Sequence, residues 1–404
     1  MQAQPVLVIF EGGAAASDPE RMLQDVRSAI VLEQIEKAQL AGTFGAVILC
    51  TDRPELAAQA AALGADVDLD PPAPAFHFGQ RLQQLVRRRR PAAVCCMGGA
   101  AGPLLTAAEL ADIGRLLSAG RPLAAANNIY SADIVAFSPA DAILMIDPPA
   151  IDNALPLALH RDAGLPVVPL PRSLGMQLDV DTPSDVLVLA VHSRTGPRVR
   201  ERIQAWNLDL ERIQRAKAAL VDPHVDVFLY GRINAALFQY LDQHSRCRIR
   251  LLSEERGMKA LGRDVRGEVR AVLGFALEAL GMAGFFRCLE TLCSAAFLDT
   301  RVLLAHAGRH VSVADRFYSD LGYPDQIHDP WLRELTAAAM GASFPVILGG
   351  HGLVTGGVWA LLDSAMNELQ ESKEETGMDQ PKPAISTGGD RPDAGGTAIQ
   401  PRRG

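Results

Sequence analysis

Two aspartates separated by one residue form the part of this sequence best suited to chemistry. Asp179 and Asp181 belong to the segment LDVDTP at residues 178–183. On a short strand, side chains two residues apart point to the same face, so both carboxylates can address one cation or one polyphosphate. The structural alternative is an acidic turn that merely leads into a capped helix.

The residues after this pair predict a helix start. Thr182 fits the N-cap, Pro183 fits the first helical position, and Asp185 stands where its carboxylate can complete a capping box. The two acids would then end a strand just before a helix opens. Open α/β sheets bind their ligands at such carboxyl ends of strands.

Length and composition limit the classes to consider. A chain of 404 residues predicts about two domains, which we place at residues 1–195 and 196–365, with a tail at residues 366–404. Hydrophobic residues make up 48% and charged residues 21%, as in soluble globular proteins. The formal net charge of −8 provides no general attraction to nucleic acid or to anionic lipid, so we expect neither as a partner.

Cysteine usage and hydropathy predict a cytoplasmic protein. The six cysteines include no C-x-x-C pair and no zinc-ligand spacing, so we interpret them as reduced core thiols. The N-terminus lacks the features of a signal peptide. The longest apolar run, residues 271–286, is interrupted by Glu278 and falls short of the roughly 18–20 residues that span a bilayer. We therefore expect it to form a buried helix.

The first half of the chain alternates between predicted strands and helices. Apolar runs of strand length occur at residues 6–10, 46–52 and 92–97, residues 65–70 are predicted to form a short third strand, and helical segments lie between these strands. Strands that are apolar on both faces are typical of parallel sheets covered by helices. The pattern predicts an α/β fold with a Rossmann-like, mostly parallel sheet.

Glycines follow two of these strands. Gly12 and Gly13 come after the first strand, and Gly98 and Gly99 come after the fourth. Backbone amides of glycine can approach a ligand closely because no side chain intervenes, so both turns are candidate binding loops.

Four arginines at residues 87–90 could also bind a phosphate, although cations in a last helical turn are usually solvated.

The order of these segments resembles the nucleotidyltransferase-like superfamily with the glycosyltransferase-A fold, specifically its MobA-like and 2-phospho-lactate guanylyltransferase-like branches. Residues 47–52 are similar to the family's second strand, which ends in Thr-Asp, and residues 97–106 to its "G-D-x-P-L-L" turn. Residues 178–185 are similar to its "D-x-D-T-P-x-D" ending, and residues 152–155 to the "N-A-L" substrate loop. The resemblance covers roughly residues 5–195.

This resemblance implies that a nucleotidyl group moves from a nucleoside triphosphate, GTP or CTP, to a small-molecule acceptor that carries a phosphate or carboxylate, with release of pyrophosphate. It implies that Asp179 and Asp181 are catalytic and hold Mg²⁺ or Mn²⁺. It also allows a homo-oligomer. The implied nucleotide-binding residues are Glu11, Gly12, Gly13, Arg21, Asp52, Gly98, Gly99, Asn128, Asp152 and Asn153.

Two departures from the family pattern leave an alternative open. The aspartate of "G-D-x-P" is absent, since residues 99–101 are Gly-Ala-Ala, and Arg21 is the only cation near the first glycine loop in the sequence. The ion could instead be held with help from Asp52 or Asp133. Otherwise the domain is a catalytically degenerate nucleotide-binding, regulatory or assembly protein.

The second half begins with charged helices and a new strand–helix–strand unit at residues 225–252, and it resembles no family that we recognise. Near its end, residues 349–352 read Gly-Gly-His-Gly, between an apolar strand and a helix. These glycines either pack the helix closely on the strand or belong to a second ligand site that uses His351. Beyond about residue 370 the composition predicts a disordered tail.

Overall fold

The computed structural model describes residues 4–71, 75–129 and 131–375. Strand β1 lies inside a sheet, between two other strands, and its apolar residues are buried on both faces of that sheet. The described strands of this first sheet are β1 (Val6–Phe10), β2 (Ala46–Thr51), β3 (Asp66–Leu69), β4 (Val94–Gly98), β5 (Leu123–Ala126), β6 (Ile134–Ser138) and β7 (Val167–Pro169).

The sheet has the order β3-β2-β1-β4-β6-β5-β7. Strand β6 runs antiparallel to β4 and β5, and the other pairings are parallel. The predicted α/β fold with a Rossmann-like, mostly parallel sheet is therefore confirmed. The carboxyl ends of β1, β2 and β4 meet at one edge, which places the Glu11–Gly13 loop beside Asp52 and Gly98.

Helices cover both faces of this sheet and connect it to the rest of the chain. The described α-helices are α1 (Asp18–Ala41), α2 (Pro54–Ala62), α3 (Phe78–Arg89), α4 (Ala107–Ser118), α5 (Leu155–Ala163), α6 (Leu174–Gln177), α7 (Pro183–Ala190), α8 (Pro197–Ala205), α9 (Glu211–Ala219), α10 (Ala235–His244), α11 (Val272–Leu292), α12 (Thr300–His306), α13 (Val313–Leu321), α14 (Pro330–Met340) and α15 (Val358–Glu375).

The acidic segment differs from its predicted strand. Asp179 forms only an isolated bridge with Ala101, supported by hydrogen bonds from Val180 N to Ala100 O and from Gly102 N to Leu178 O. The short helix α6 comes directly before it, and Thr182 caps α7 directly after it. The predicted helix start is confirmed, because Thr182 and Asp185 form a capping box at α7.

A second sheet is built from the later half of the chain. Its described strands are all parallel, in the order β11-β10-β8-β9, and they are β8 (Asp226–Gly231), β9 (Arg248–Ser253), β10 (Ala295–Asp299) and β11 (Val346–Gly349). The second region is therefore also α/β. A single apolar core joins residues of α1 and α7 to residues of β8 and β10, and residues 1–366 form one compact unit.

Helix α11 corrects the expectation that the apolar run is too short to span a membrane. It has 21 residues and is, among the described helices, the one long and apolar enough by length and composition to cross a bilayer. Its backbone is broken at Gly281, where φ is 66° and ψ is 166°. Leu277, Phe285 and Leu289 on one face of the helix belong to a buried apolar cluster. Val272, Phe275 and Leu280 are exposed, so the helix is buried on one face only.

The end of the chain is helical for longer than the composition predicts. Helix α15 continues to Glu375, so residues 366–375 are helical, contrary to the tail that we placed at residue 366. Its last two turns are rich in Glu, Gln and Lys, which favour helix formation. The remainder of the predicted disordered tail, residues 376–404, lies outside the described residues.

Candidate functional site

A cavity opens at the carboxyl edge of the first sheet. It has a volume of about 630 Å³, within the range of small-molecule sites. Its lining combines acidic, aromatic and amide side chains: Phe10, Glu11, Gly12, Gly13, Asp52, Asp70, Pro71, Ala75, Phe76, His77, Gln80, Arg81 and Gln84. Four residues predicted to bind nucleotide, Glu11, Gly12, Gly13 and Asp52, therefore share one cavity.

The glycine loop in this cavity is held by carboxylates. Gly13 N donates to both carboxylate oxygens of Asp52 at 3.2 Å, and a β-carbon on Gly12 would come within 2.7 Å of Asp52 Oδ1. Glu11 is buried, and burial raises its pKa although Arg27 and Arg53 partly oppose that effect. The loop thus presents two acids, which suit hydroxyl groups better than phosphates.

Arg27 links this cavity to the acidic segment. Its position on α1 places it near Glu11, while its Nε donates to Val180 O at 2.8 Å and its Nη2 lies 3.4 Å from Asp181 Oδ1. Arg53 stands 4.0 Å from Glu11. The sequence motif did not identify either arginine, because Arg27 reaches the site from α1 and Arg53 from the N-cap of α2 rather than from the glycine loop.

The carboxylates of Asp133, Asp152, Asp179 and Asp181 act on one another, and we call them the acidic cluster. Burial, followed by the charges of Asp181, Asp133 and Asp185, raises the pKa of Asp179 well above its usual range. Burial and Asp181 raise the pKa of Asp133 to about 7. Burial is also the main cause that raises the pKa of Asp152. Carboxylates that repel one another in this way gain stability from a bound cation.

The acidic cluster fits a divalent ion of the magnesium type. Such an ion is commonly held by one or two carboxylates, together with substrate phosphates and water. Asp179 and Asp181 supply two hard oxygen ligands, and Asp181 is exposed at the surface of the cleft. Within residues 4–71, 75–129 and 131–375, no three His, Cys, Asp or Glu side chains are arranged as a complete metal site. The ion would therefore rely on the substrate for its remaining ligands.

Asp133 enters the cluster from the end of the loop between β5 and β6. Asn127 fixes this loop, since its Oδ1 accepts from the backbone amides of Asp133 and Ile134 at 3.1 Å, and its Nδ2 donates to Asp133 Oδ2 at 3.3 Å. Of the two substitutes that the sequence suggested for the missing aspartate, Asp133 lies with the metal candidates. Asp52 lies instead at the glycine loop.

The other predicted site residues fall in different places. Arg21 is exposed and pairs with Asp18, so the structure does not bring it into the cavity or the acidic cluster. Gly98 N donates to Asp133 O at 3.3 Å, and Gly99 N donates to Phe10 O at 2.8 Å, which places both between the loop and the cluster. A β-carbon on Gly99 would collide with Glu11.

The predicted substrate loop reaches the acidic cluster through one residue. Asp152 is electrostatically linked to Asp133 and Asp181, whereas Asn153 accepts a hydrogen bond from Ser131 Oγ at 3.0 Å. Asn128 is exposed on the loop between β5 and β6. The structure thus places most of the predicted residues in the cavity, in the acidic cluster or between the two, and Arg21 in neither.

Glycines after β11 pack directly against the acidic segment. β-Carbons built on Gly352 and Gly356 would stand 2.9 Å from Asp185 Oδ1 and 2.8 Å from Leu178 Cα, and one on Gly349 would collide with Ser184. Close packing therefore accounts for these three glycines, as the structural alternative predicted. It also brings His351 within electrostatic reach of Asp181. Desolvation of the imidazole, followed by the positive charge of Arg232, lowers the pKa of His351.

Comparisons with known proteins identify no family. No family model matches the sequence, and no curated protein matches it. Solved structures similar to part of the chain include a cytidylyltransferase from Leptospira borgpetersenii, with 14% identity, a TM-score of 0.38, and coverage of 51% of this chain and 94% of that one.

Two further structures are similar over a comparable part of the chain. A nucleotidyl transferase from Methanothermobacter has 17% identity and a TM-score of 0.35, covering 50% of this chain and 99% of its own. A Mycobacterium tuberculosis protein in complex with manganese has 21% identity and a TM-score of 0.31, covering 45% and 95%. With TM-scores below 0.5, these similarities do not define the fold, which the strand order of the chain itself establishes.

Proposed function

We propose that this protein is a nucleotidyltransferase of the nucleotidyltransferase-like superfamily, which uses GTP or CTP and a divalent ion and releases pyrophosphate. The observation that carries the proposal is the placement of a 630 Å³ cavity and an acidic cluster at the same sheet edge, joined by Arg27. The volume of the cavity is sufficient for a nucleoside, and the acidic cluster would hold the ion that binds its triphosphate.

The cavity wall provides groups suited to a base and a ribose. Phe76 is half exposed at the mouth and meets Phe10 edge to face, with ring centroids 6.2 Å apart. An aromatic face stacks any base, while the amides of Gln80 and Gln84 can both donate and accept at a base edge. The carboxylates of Glu11 and Asp52 would accept hydrogen bonds from ribose hydroxyls.

The reaction needs little covalent chemistry from the protein. An oxygen of the acceptor forms a bond to the α-phosphorus, the bond from that phosphorus to the bridging oxygen breaks, and pyrophosphate leaves with the electron pair. When bound, the divalent ion neutralises the charge that develops on the phosphate oxygens. Asp179 and Asp181 would hold this ion, and Arg27 would keep Asp181 in place through its bonds to Val180 O and Asp181.

A second candidate is a nucleotide-binding protein without turnover. The observation that favours it is the hydrogen bond from Gly13 N to Asp52, because a carboxylate there occupies an amide that a phosphate would otherwise use. In this case the chain would bind a nucleoside through the same cavity and release no pyrophosphate.

One assay separates the two candidates. Purified protein is incubated with radiolabelled GTP or CTP, Mg²⁺ and a panel of phosphorylated and carboxylated acceptors, and pyrophosphate release is measured. A transferase releases pyrophosphate with at least one acceptor, and Asp181→Asn abolishes the release. Asp112→Asn is the matched control, because Asp112 is exposed on α4, where it pairs with Arg115. Nucleotide binding without pyrophosphate from any acceptor would support the second candidate.

A further inference from the structure

Four cations crowd the carboxyl edge of the second sheet. They are Arg232 after β8, Lys259 in the loop after β9, Arg301 at the start of α12, and Arg316 on α13. Partial desolvation and the like charges of the three arginines lower the pKa of Lys259. Cations are brought this close only where compensating negative charge is present.

Two of these cations are compensated within the chain. Arg232 forms a two-pronged ion pair with Asp299, with nitrogen–oxygen distances of 2.6 and 3.1 Å. Arg301 pairs in the same way with Asp320, at 2.6 Å for both bonds. These pairs are formed by almost fully buried side chains, so they hold the sheet edge rigid.

The other two cations have no such partner. Among the described residues, neither Lys259 nor Arg316 forms an ion pair, and the buried Nε of Arg316 has no hydrogen-bond acceptor. A buried donor without an acceptor costs about 1–3 kcal/mol, more when it is charged. The charges of Asp320 and Asp181 act on Arg316 and Lys259 without forming ion pairs, so an added anion would provide the first direct counter-charge of each.

Lys259, Arg301 and Arg316 line the same cavity. Its volume is about 180 Å³, roughly the space of six water molecules at about 30 Å³ each. His310 and Arg309 add positive character, although Arg309 also lies 3.4 Å from Asp329. The one acid among the residues that line this cavity in the described structure is Asp264. The space suits a phosphoryl group and a small part of the molecule that carries it.

This cationic cavity adjoins the acidic cluster. Gly350 lies between the two, since a β-carbon on it would be 3.3 Å from Thr182 Cγ2 and 3.9 Å from Arg301 Nε. Thr182 directly follows Asp181, and the charge of Asp181 also acts on Lys259. A ligand anchored at Lys259 and Arg316 would therefore extend toward the ends of the acidic segment.

We propose that Lys259 and Arg316 bind the phosphomonoester group of the acceptor, so that the second region of the chain selects a phosphorylated rather than a carboxylated acceptor. The inference rests on the proposed transferase function for its biological meaning. A phosphomonoester carries close to two negative charges at neutral pH, which matches the two unpaired cations. A carboxylate carries one charge and would leave a cation uncompensated.

Binding is tested on the full chain, without nucleotide or metal, by isothermal titration calorimetry with inorganic phosphate as the probe and acetate as the carboxylate comparison. The variants are Lys259→Gln and Arg316→Gln. The control is Arg287→Gln, which removes an exposed arginine on α11 that does not line the cavity. Lys259 is exposed, so its variant keeps the wild-type melting temperature even if loss of Arg316 perturbs folding.

We expect phosphate to bind wild type and Arg287→Gln equally and to bind Lys259→Gln and Arg316→Gln at least tenfold more weakly. Acetate should compete poorly with phosphate. Phosphate affinity within twofold of wild type in Lys259→Gln, or acetate binding as strong as phosphate binding, would overturn the proposal.

The triphosphate of the nucleotide could supply the same chemistry, and a second titration distinguishes it. CTP or GTP with Mg²⁺ should bind Lys259→Gln within twofold of wild type. A parallel loss of nucleotide and phosphate affinity would overturn the assignment to the acceptor. Because phosphate binding is measured without turnover, a protein that binds phosphate through Lys259 but releases no pyrophosphate refutes the transferase proposal alone.

Discussion

Gly352 lies against the carboxylate of Asp185, so closely that a β-carbon on the glycine would stand 2.9 Å from Oδ1. The other oxygen, Oδ2, accepts hydrogen bonds from Thr182 N, Thr182 Oγ1 and Asp181 N at 2.8–3.2 Å. One carboxylate therefore caps α7, fixes the acidic segment and contacts the loop after β11. The two regions of the chain are joined at the candidate site itself.

This contact makes the glycine loop sensitive to added atoms. We expect Gly356→Ala to lower the free energy of unfolding by about 2 kcal/mol or more, because its β-carbon would meet backbone atoms of Gln177 and Leu178 that cannot move cheaply. Urea unfolding measures the loss. Gly284→Ala on α11 is the matched control, since its β-carbon meets ordinary contacts and alanine favours a helix by about 1 kcal/mol. Equal stability of Gly356→Ala and wild type would refute the packing argument.

The metal candidates predict a separation of binding from stability. Asp181 is exposed, so Asp181→Asn should leave the melting temperature close to wild type while it removes Mg²⁺- or Mn²⁺-dependent binding of GTP or CTP. Fluorescent nucleotide titrations with and without metal measure the effect. Nucleotide affinity that responds to Mg²⁺ equally in wild type and variant would exclude Asp181 as a ligand.

Two carboxylates with raised pKa values, Asp133 of the acidic cluster and the neighbouring Asp185, lead us to expect that the metal-free protein becomes less stable as the pH rises. The pKa values of Asp133 and Asp185 are raised from 3.8 to about 7, mainly by burial and by the charge of Asp181, so the folded state retains protons that the unfolded chain releases. Their stabilising effect is complete below about pH 4 and is lost as the pH rises through 7.

Substitution of one member should weaken this dependence. We expect Asp133→Asn to reduce the loss of unfolding free energy between pH 5 and pH 8 by about 1–2 kcal/mol, after allowance for solvent screening. Urea titrations at both pH values in EDTA test this, with Asp112→Asn as the exposed control. The same pH slope in wild type and Asp133→Asn would show that Asp133 is already ionised in the folded protein.

The ion pair between Arg301 and Asp320 should be essential for the second sheet. Both side chains are buried, with exposed fractions of 8% and 0%. Asp320→Asn leaves the guanidinium without its counter-charge, and we expect a loss of about 3 kcal/mol or more. Asp112→Asn breaks the exposed pair with Arg115 and should change stability by less than about 0.5 kcal/mol. Thermal denaturation compares the two, and similar melting temperatures would contradict the expectation.

Local sequence signals predicted much of the first sheet. The continuous apolar runs identify β1, β2 and β4 because a strand covered on both faces has no polar side to show. The capping box of Thr182 and Asp185 is equally local, since all its atoms lie within one helical turn. The sequence correctly predicted that a helix begins just after Asp179 and Asp181. The prediction that these two residues end a strand was wrong.

The composition of the site was decided by the tertiary structure. Arg27 joins Glu11 to Asp181 across more than 150 residues, and Lys259 and Arg316 come together from separate loops and helices of the second region. Such pairings depend on strand order and on how helices pack, neither of which leaves a periodic signal in the chain. The sequence by itself determined the helix start that follows Asp181, because its capping groups are neighbours in the chain. The tertiary structure packs β11 and the glycines after it against residues 177–185. This packing alone determined that the acidic cluster and the cationic cavity are neighbours.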